Sequence, residues 1–481
     1  MYCGDETGSF IGEIGSHTCR FGYGGEDNPK YVVPSYVSDK KQMASSCLTA
    51  RAASQELGSI LRMPEFSGSE PLLDPNAFLR QGDSVQDWDN LQVAWNEGMD
   101  VLRAKDTQKH TKGGTLYSTT VKRHKSTDGK CIHPILAITP GFTQFDGYGP
   151  KYSASMKREQ YAKYMEIVME HLEATSLFLA PSPMLAAFSL GRQNALVVDV
   201  GAGGCRVTPV IDGHILQHSQ RRNGRGGDWL GHVTWKAMLE QKLNITPRYQ
   251  LRQKGCTPKS PSFHNWAVQD LMSELRTDPH VSVAAIDDAT SRLPFTNYEN
   301  AEVPSSPSAS VEETTPSSCE LPDGTSIDLT TPFGKDVTRI PELLFTETTS
   351  FSPQSSSSSS SSSTTSNLQT LSNAPLHHLI RESLLAVGDV DARKDLVGSI
   401  CLSGASSVFP NLDSRLSAEL AALLPGFVKP KVIASRNSVE RRYAAWIGAS
   451  ILTSLGSFQQ LWMSRSEYFE YGAAMGVQRF P

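Results

Sequence analysis

The sequence contains no CxxC pair. Its eight cysteines, Cys3, Cys19, Cys47, Cys131, Cys205, Cys256, Cys319 and Cys401, stand singly, which indicates neither a zinc site nor a disulfide framework. Scattered thiols in a chain of this size suit a reducing cytosolic or nuclear compartment. No apolar stretch reaches ~18 residues without a charge or a breaker, so no membrane span is expected. Met1-Tyr2-Cys3-Gly4-Asp5-Glu6 holds no basic region followed by an apolar run, so no secretory signal is expected either. Basic excess is also missing. A net charge of -5 excludes a protein that is basic throughout and confines any nucleic-acid contact to a local patch.

What is there amounts to more than one core. A chain of 481 residues suits two or more lobes, and 38% hydrophobic with 20% charged residues is ordinary for a globular protein. Several stretches read as insertions. Residues 36–70 are weakly patterned. Within 103–130, eight Lys and Arg, from Arg103 to Lys130, face only Asp106 and Asp128. Residues 291–318 are rich in Pro, Ser, Glu and Thr, and 350–373 contain nine consecutive serines, Ser355 to Ser363. A polyserine tract buries too little apolar surface to offset its ordering entropy, so 291–318 and 350–373 are read as disordered.

The remainder alternates hairpins with helices. Phe10 to Ile14 leads through Gly15-Ser16-His17 into Thr18 to Tyr23; Ala195 to Val200 leads through Gly201-Ala202-Gly203-Gly204 into Val207 to Ile211. Each copy is an apolar strand carrying an acid, then a tight turn of small residues, then a returning strand. Two copies predict two similar half-domains facing a cleft. Helical spacing covers 157–177, and 439–455 reads as one long apolar helix with a shorter one near Phe458 to Trp462. Trp88 and Trp95, seven apart, are expected to pack a helix. His377 and His378 have no neighbours at metal-ligand spacing and read as surface or core histidines.

Turns of small residues can aim backbone N–H groups at a phosphate, because no side chain blocks the approach. An acid on the strand beside such a turn can hold Mg²⁺ through water. On that reading Gly15, Ser16 and His17 form one phosphate turn and Gly201 to Gly204 the other, with Glu13 and Asp199 as metal-side acids. Glycine-rich hairpins are common, and most are only turns.

Longer motifs carry a resemblance. Trp446-Ile447-Gly448-Ala449-Ser450-Ile451-Leu452, with Ser457 to Trp462 and Glu467-Tyr468, resembles the actin C-terminal signature. Glu320 to Gly324, Ile340 to Phe345, Asp391 to Leu396 and Leu402-Ser403-Gly404 are similar to further actin segments. Met1 to Glu6, Gly15 to Asp27, Asp87-Trp88-Asp89 and His264-Asn265-Trp266 resemble the nuclear actin-related protein 4 (BAF-type) subfamily. The resemblance implies an α/β, actin-like two-lobed fold of the actin, sugar-kinase and Hsp70-type ATPase superfamily. Its expected division is 1–180 as the first lobe, 181–440 as the second, and 441–481 as helices returning to the first.

The resemblance also implies a damaged ATP site. The first phosphate loop falls on Glu13 to His17, the phosphate-contacting lysine on Arg20 and the second loop on Asp199 to Gly204. Ser403, Gly404, Ala405, Phe409 and Arg442 fall on the adenosine side. Ala202 stands where the family has a second-loop aspartate, Ser182 where it has a water-orienting glutamine, and Arg206 where it has a histidine near the γ-phosphate. Gln269, Met272 and Ser273 replace charged nucleotide contacts. Phosphoryl transfer depends on placing a water and neutralising charge, so hydrolysis is not expected, while ATP with Mg²⁺ or Ca²⁺ remains a structural ligand.

The function implied is a non-enzymatic nuclear subunit of chromatin-remodelling and histone acetyltransferase complexes. Its expected partners are actin, the helicase-SANT-associated helix of a remodelling ATPase and other subunits of such complexes. Histones or DNA are candidate contacts of the basic 103–130 stretch, where 121–125 has the makings of an import signal. A filament of its own is not expected. The alternatives are an active actin-fold ATPase and a cytoskeletal filament former.

Overall fold

The computed structural model describes residues 8–38, 41, 57–61, 85–109, 133–139, 144–145, 150–151, 154–243, 246–251, 261–277, 281, 318–321, 324–346, 374–425 and 429–480. The basic run beyond 109, the 291–317 segment and the polyserine tract lie outside the described residues.

The chain opens with β1 (Phe10–Ile14), β2 (Thr18–Tyr23) and β3 (Tyr31–Pro34), followed by a two-stranded ribbon, β4 (Tyr36–Ser38) and β5 (Leu57–Ser59). Then come α1 (Trp88–Lys109), β6 (Ile135–Thr139), α2 (Ala154–Glu166), β7 (Ser176–Pro181) and α3 (Ser182–Ser189). The second half holds β8 (Ala195–Val200), β9 (Cys205–Ile211), β10 (His214–Ile215), β11 (Arg221–Asn223), α4 (Gly227–Glu240) and α5 (Pro261–Arg276). It continues with α6 (Leu376–Ala386), β12 (Ile400–Ser403), α7 (Leu412–Leu423) and β13 (Val432–Ile433). The last elements are α8 (Ser438–Arg442), α9 (Ala444–Ser454), β14 (Met463–Ser464) and α10 (Arg465–Tyr471).

Two six-stranded sheets result. The first has the order β14-β7-β6-β1-β2-β3; the second runs β10-β9-β8-β12-β13, with β11 on the far side of β9. Central strands are the continuous apolar runs, as parallel strands covered on both faces must be. Ile135-Leu136-Ala137-Ile138-Thr139 is buried at every position, and it pairs in parallel with β1 and β7. Each sheet anchors its own core, so the two-lobed α/β architecture implied by the resemblance is the one observed. Trp95 lies wholly buried against Phe10 and Phe21, and an added Cβ on Gly12 would run into its ring.

The C-terminal residues Trp446, Ala449, Phe458, Trp462 and Met463 bury in the first core. Strand β14 adds to the first sheet through β7. Helix α9 crosses α3 where Gly448 meets the Leu185 carbonyl, an approach that any side chain at Gly448 would block. Ala186, Ala187 and Ala444 of the same pair also pack on the second sheet through Ala195, Val197 and Cys401. This pair therefore touches both lobes.

Two expected elements are divided. The helix read over 157–177 ends in a wide turn at Ile167–His171, where the Leu172 N–H reaches the Ile167 carbonyl at 2.9 Å. Glu173 then takes a positive φ of 50°, and the buried run Ser176–Pro181 becomes a strand. The apolar run 439–455 forms α8 and α9, because Tyr443 leaves the helical region (φ −112°, ψ 21°).

Candidate nucleotide cleft

The two hairpins lie at the inner edges of the two sheets and share one design. In the first, Glu13 on β1 pairs with Arg20 on β2; in the second, Asp199 on β8 pairs with Arg206 on β9, each arginine seven residues after its acid. Gly15 N–H closes the first turn onto Thr18 O at 3.0 Å, and Gly201 N–H closes the second onto Gly204 O at 3.1 Å. The turn tips are therefore Ser16-His17 and Ala202-Gly203.

Carbonyl anchoring sets which way those tips present their donors. Buried Ser35 donates its hydroxyl to Gly15 O at 2.6 Å and its N–H to His17 O at 2.9 Å. At the second turn, Gly227 N–H and Asp228 N–H in the first turn of α4 donate to Gly201 O and Ala202 O, both at 2.9 Å. In a trans peptide the next N–H points opposite the carbonyl. Ser16 N–H is thereby turned away from Ser35, and the N–H groups of Ala202 and Gly203 away from α4. All three residues line the cleft.

The cleft encloses roughly 500 Å³, within the usual size for a small-molecule site of about 300–1,000 Å³. Every site residue expected from the sequence lines it. Glu13, Gly15, Ser16, His17 and Arg20 come from the first lobe, and Asp199, Gly201, Gly203 and Gly204 from the second. Ser403, Gly404, Ala405, Phe409 and Arg442 form a further wall. Gly404 takes a φ of 96°, and an added Cβ would strike the Asp199 carboxylate and the Val200 carbonyl. Ser182 opens α3 and Ala444 opens α9, so two helix N-termini face the same space, which favours an anion.

Electrostatics in the cleft run positive. Among the described residues five arginines line it (Arg20, Arg206, Arg222, Arg276 and Arg442) against two carboxylates, Glu13 and Asp199. Glu13 Oε2 accepts from Arg20 Nη1 at 2.8 Å, with both side chains 13% exposed, and the Arg20 guanidinium also sits 5.0 Å from the Tyr443 ring. Burial raises the Asp199 carboxyl, Arg206 opposes that shift, and nearby Glu13 adds to it. Burial lowers Arg276 to about 10, with Asp228 opposing, so it stays cationic at neutral pH. Burial lifts the Cys19 and Cys205 thiols to about 12, which makes them inert packing groups.

These residues fit the two parts of a metal–nucleotide ligand unequally. A polyphosphate is suited by the two turns, by glycines where a Cβ would intrude, and by the positive charge of Arg276 in the cleft wall. A hydrated divalent cation is suited poorly. Ala202 brings no carboxylate, Glu13 is held by Arg20, and Asp199 has Arg206 beside it on the next strand. Among the described residues no group of three His, Cys, Asp or Glu side chains could hold a metal.

Several cleft residues escaped the sequence reading. Ser35 lies in a segment without a motif, and Arg222 and Arg276 lie in otherwise ordinary elements. Asp228 had a signal: Gly224-Arg225-Gly226-Gly227-Asp228 is a glycine-rich turn opening a helix. His17 Nδ1 lies 3.5 Å from Asp228 Oδ1, joining the two lobes across the cleft. His377 is buried in α6, stacked 6.2 Å from the Phe345 ring, and His378 sits beside it.

The profile of the actin family, described as "Actin", matches residues 4–481. Among characterised proteins, the chain is 29% identical over 501 residues to actin-related protein 4 of Oryza sativa subsp. japonica, covering 100% of both chains. It is 28% identical over 498 residues to actin-related protein 4 of Arabidopsis thaliana, again covering 100% of both. The protein of the same name from Yarrowia lipolytica is 28% identical over 494 residues, covering 100% of this chain and 97% of that one.

Proposed function

We propose, from the premise that the chain belongs to the actin family, that it is a non-catalytic subunit of nuclear chromatin-remodelling and histone acetyltransferase complexes, holding ATP as a structural ligand. One observation carries the non-catalytic half. The backbone cradle is intact, while the side chains that phosphoryl transfer needs are replaced. Ser182 stands at the cleft where the resemblance puts a water-orienting glutamine, and Ala202 where it puts an acid. Positioning of the attacking water and charge neutralisation at the metal supply most of the catalysis in this chemistry, so their loss leaves a binding site.

Similarity over the whole chain to actin-related protein 4 from plants and a yeast supports the assignment to this branch of the family. In this reading the protein sits beside actin on the helicase-SANT-associated helix of a remodelling ATPase, in the nucleus. Bound nucleotide stabilises the closed lobes by mass action. The basic 103–130 stretch is the candidate contact with histones or DNA, where Lys and Arg would supply salt-dependent affinity.

Affinity purification of the native protein tests the assembly. Recovery of remodelling or acetyltransferase subunits together with actin is expected; recovery of cytoskeletal proteins alone would sink the reading. Single-turnover incubation with ATP tests the chemistry. Intact ATP after denaturing the complex is expected, and ADP formed at actin-like rates would reject the non-catalytic assignment.

A further inference from the structure

The charged residues of the cleft form an ordered row. Asp199 on β8 is in register with Arg206 on β9, and Arg206 is in register with Arg222 on β11. Cross-strand neighbours in register share one face of the sheet. One acid and two guanidinium groups therefore stand side by side, next to the second turn. Arg222 is also fixed to that turn, because its Nη2 donates to Gly203 O at 2.9 Å. Arg276 reaches the same space from the end of α5. On the opposite wall Glu13 is already neutralised by Arg20.

A divalent cation placed here would meet more guanidinium than carboxylate. Mg²⁺ binds through carboxylates and retained waters, and neighbouring fixed positive charge repels it. A phosphate chain meets the opposite situation. Guanidinium groups stay charged and match phosphate oxygens with paired N–H donors.

Resting on the nucleotide reading above, we propose that the cleft takes its ligand as the free polyphosphate anion. Arg206, Arg222 and Arg276 supply the positive charge that a divalent cation supplies to nucleotides in the wider family. The ligand class is a nucleoside triphosphate without metal.

Calorimetric titration of the full-length, nucleotide-stripped chain tests this directly, with ATP and with inorganic tripolyphosphate, each in excess EDTA and in excess MgCl₂. ATP is expected to bind in EDTA at least as tightly as in MgCl₂, and a loss of about tenfold or more in EDTA would overturn the proposal. Arg206→Gln is expected to weaken binding about tenfold in EDTA and less in MgCl₂, whereas Arg206→Lys keeps the metal independence. Unchanged affinity of a folded Arg206→Gln protein in EDTA would also overturn it. Should that variant not fold, the EDTA-to-MgCl₂ ratio of the unaltered chain decides alone. Binding of tripolyphosphate but not ATP in EDTA would retire the nucleotide reading and uphold the metal-free anion site. Binding of neither probe in EDTA would reject the site itself.

Discussion

Glu342 and Arg415 form a pair with almost no access to water, at 3% and 6% side-chain exposure and 3.1 Å apart. Arg415 also donates to Glu419 at 2.8 Å and lies 5.1 Å from the Phe345 ring. Removing one partner leaves a buried charge uncompensated. Arg415→Met is expected to lower stability by about 3–5 kcal/mol in urea unfolding, and adding Glu342→Gln should restore part of the loss. A double variant no more stable than the single one would show that the pair's charge balance is not what matters. His232 on α4 sets a pH limit at the same scale. Burial pushes its imidazole down to about 4, with Asp228 opposing and Arg276 reinforcing the shift. The unfolded chain, with an imidazole near ~6.5, binds the proton first. The contribution of His232 is therefore complete above ~6.5 and is lost as pH falls towards 4, on the order of 3 kcal/mol in total. Urea midpoints from pH 7 to pH 5 should fall for the native chain and fall less for a folded His232→Gln variant.

Among elements, the α3–α9 crossing leaves no room for added volume. Gly448 lets the helices approach until its backbone meets the Leu185 carbonyl, which is backbone and cannot swing aside. Gly448→Ala is expected to cost about 1–3 kcal/mol by overpacking, measured as a lowered urea midpoint. Because Ser182 and Ala444 at the starts of these helices line the cleft, the same variant should also weaken nucleotide binding. A melting change with unaltered binding would uncouple the two. Helix α10 offers a local contrast. Its capping box joins Ser464 Oγ to the Glu467 N–H at 3.2 Å and Glu467 Oε2 to the Ser464 N–H at 2.7 Å. Ser464→Ala should cost about 1 kcal/mol, with faster amide exchange confined to residues 465–471.

At the scale of the whole molecule, two contacts among the described residues join the lobes over the cleft. One is polar, between His17 and Asp228. The other is apolar: Leu57 and Tyr36 of the β4–β5 ribbon pack with Phe263, Trp266 and Tyr249 from the second lobe. Leu57 N–H also donates to Ser262 Oγ at 3.0 Å. The clasp thus ties the first-lobe ribbon to α5, whose Ser273 and Arg276 line the ligand site. Trp266→Ala is expected to accelerate release of a fluorescent nucleotide about tenfold, at the cost of some global stability. Equal release rates in a chase experiment would mean that closure does not control ligand exchange.

Much of this molecule was legible in the chain. Turns built from Gly15-Ser16-His17 and Gly201-Ala202-Gly203-Gly204 and the buried strands beside them are local patterns, whereas the C-terminal segment around Trp446 was read by its resemblance to actin. Backbone sterics and side-chain periodicity act over a few residues, so residue type alone specifies those turns and strands. Even the packing of Trp95 was expected, although its contact with Gly12 was not. The single helix read over 439–455 misled because its apolar spacing is continuous, while Tyr443 is drawn out of the helix beside Arg20. The charge of the cleft was legible only in part: Glu13, Arg20, Asp199, Arg206 and Arg442 were read from the sequence, Arg222 and Arg276 were not. Ser35, Arg222, Asp228 and Arg276 carry no shared motif, and they meet only because two sheets and two helices bring distant segments to one place. Their chemistry depends on that meeting. A carboxylate is available to a metal or already neutralised according to which guanidinium packs beside it, and only tertiary structure decides that.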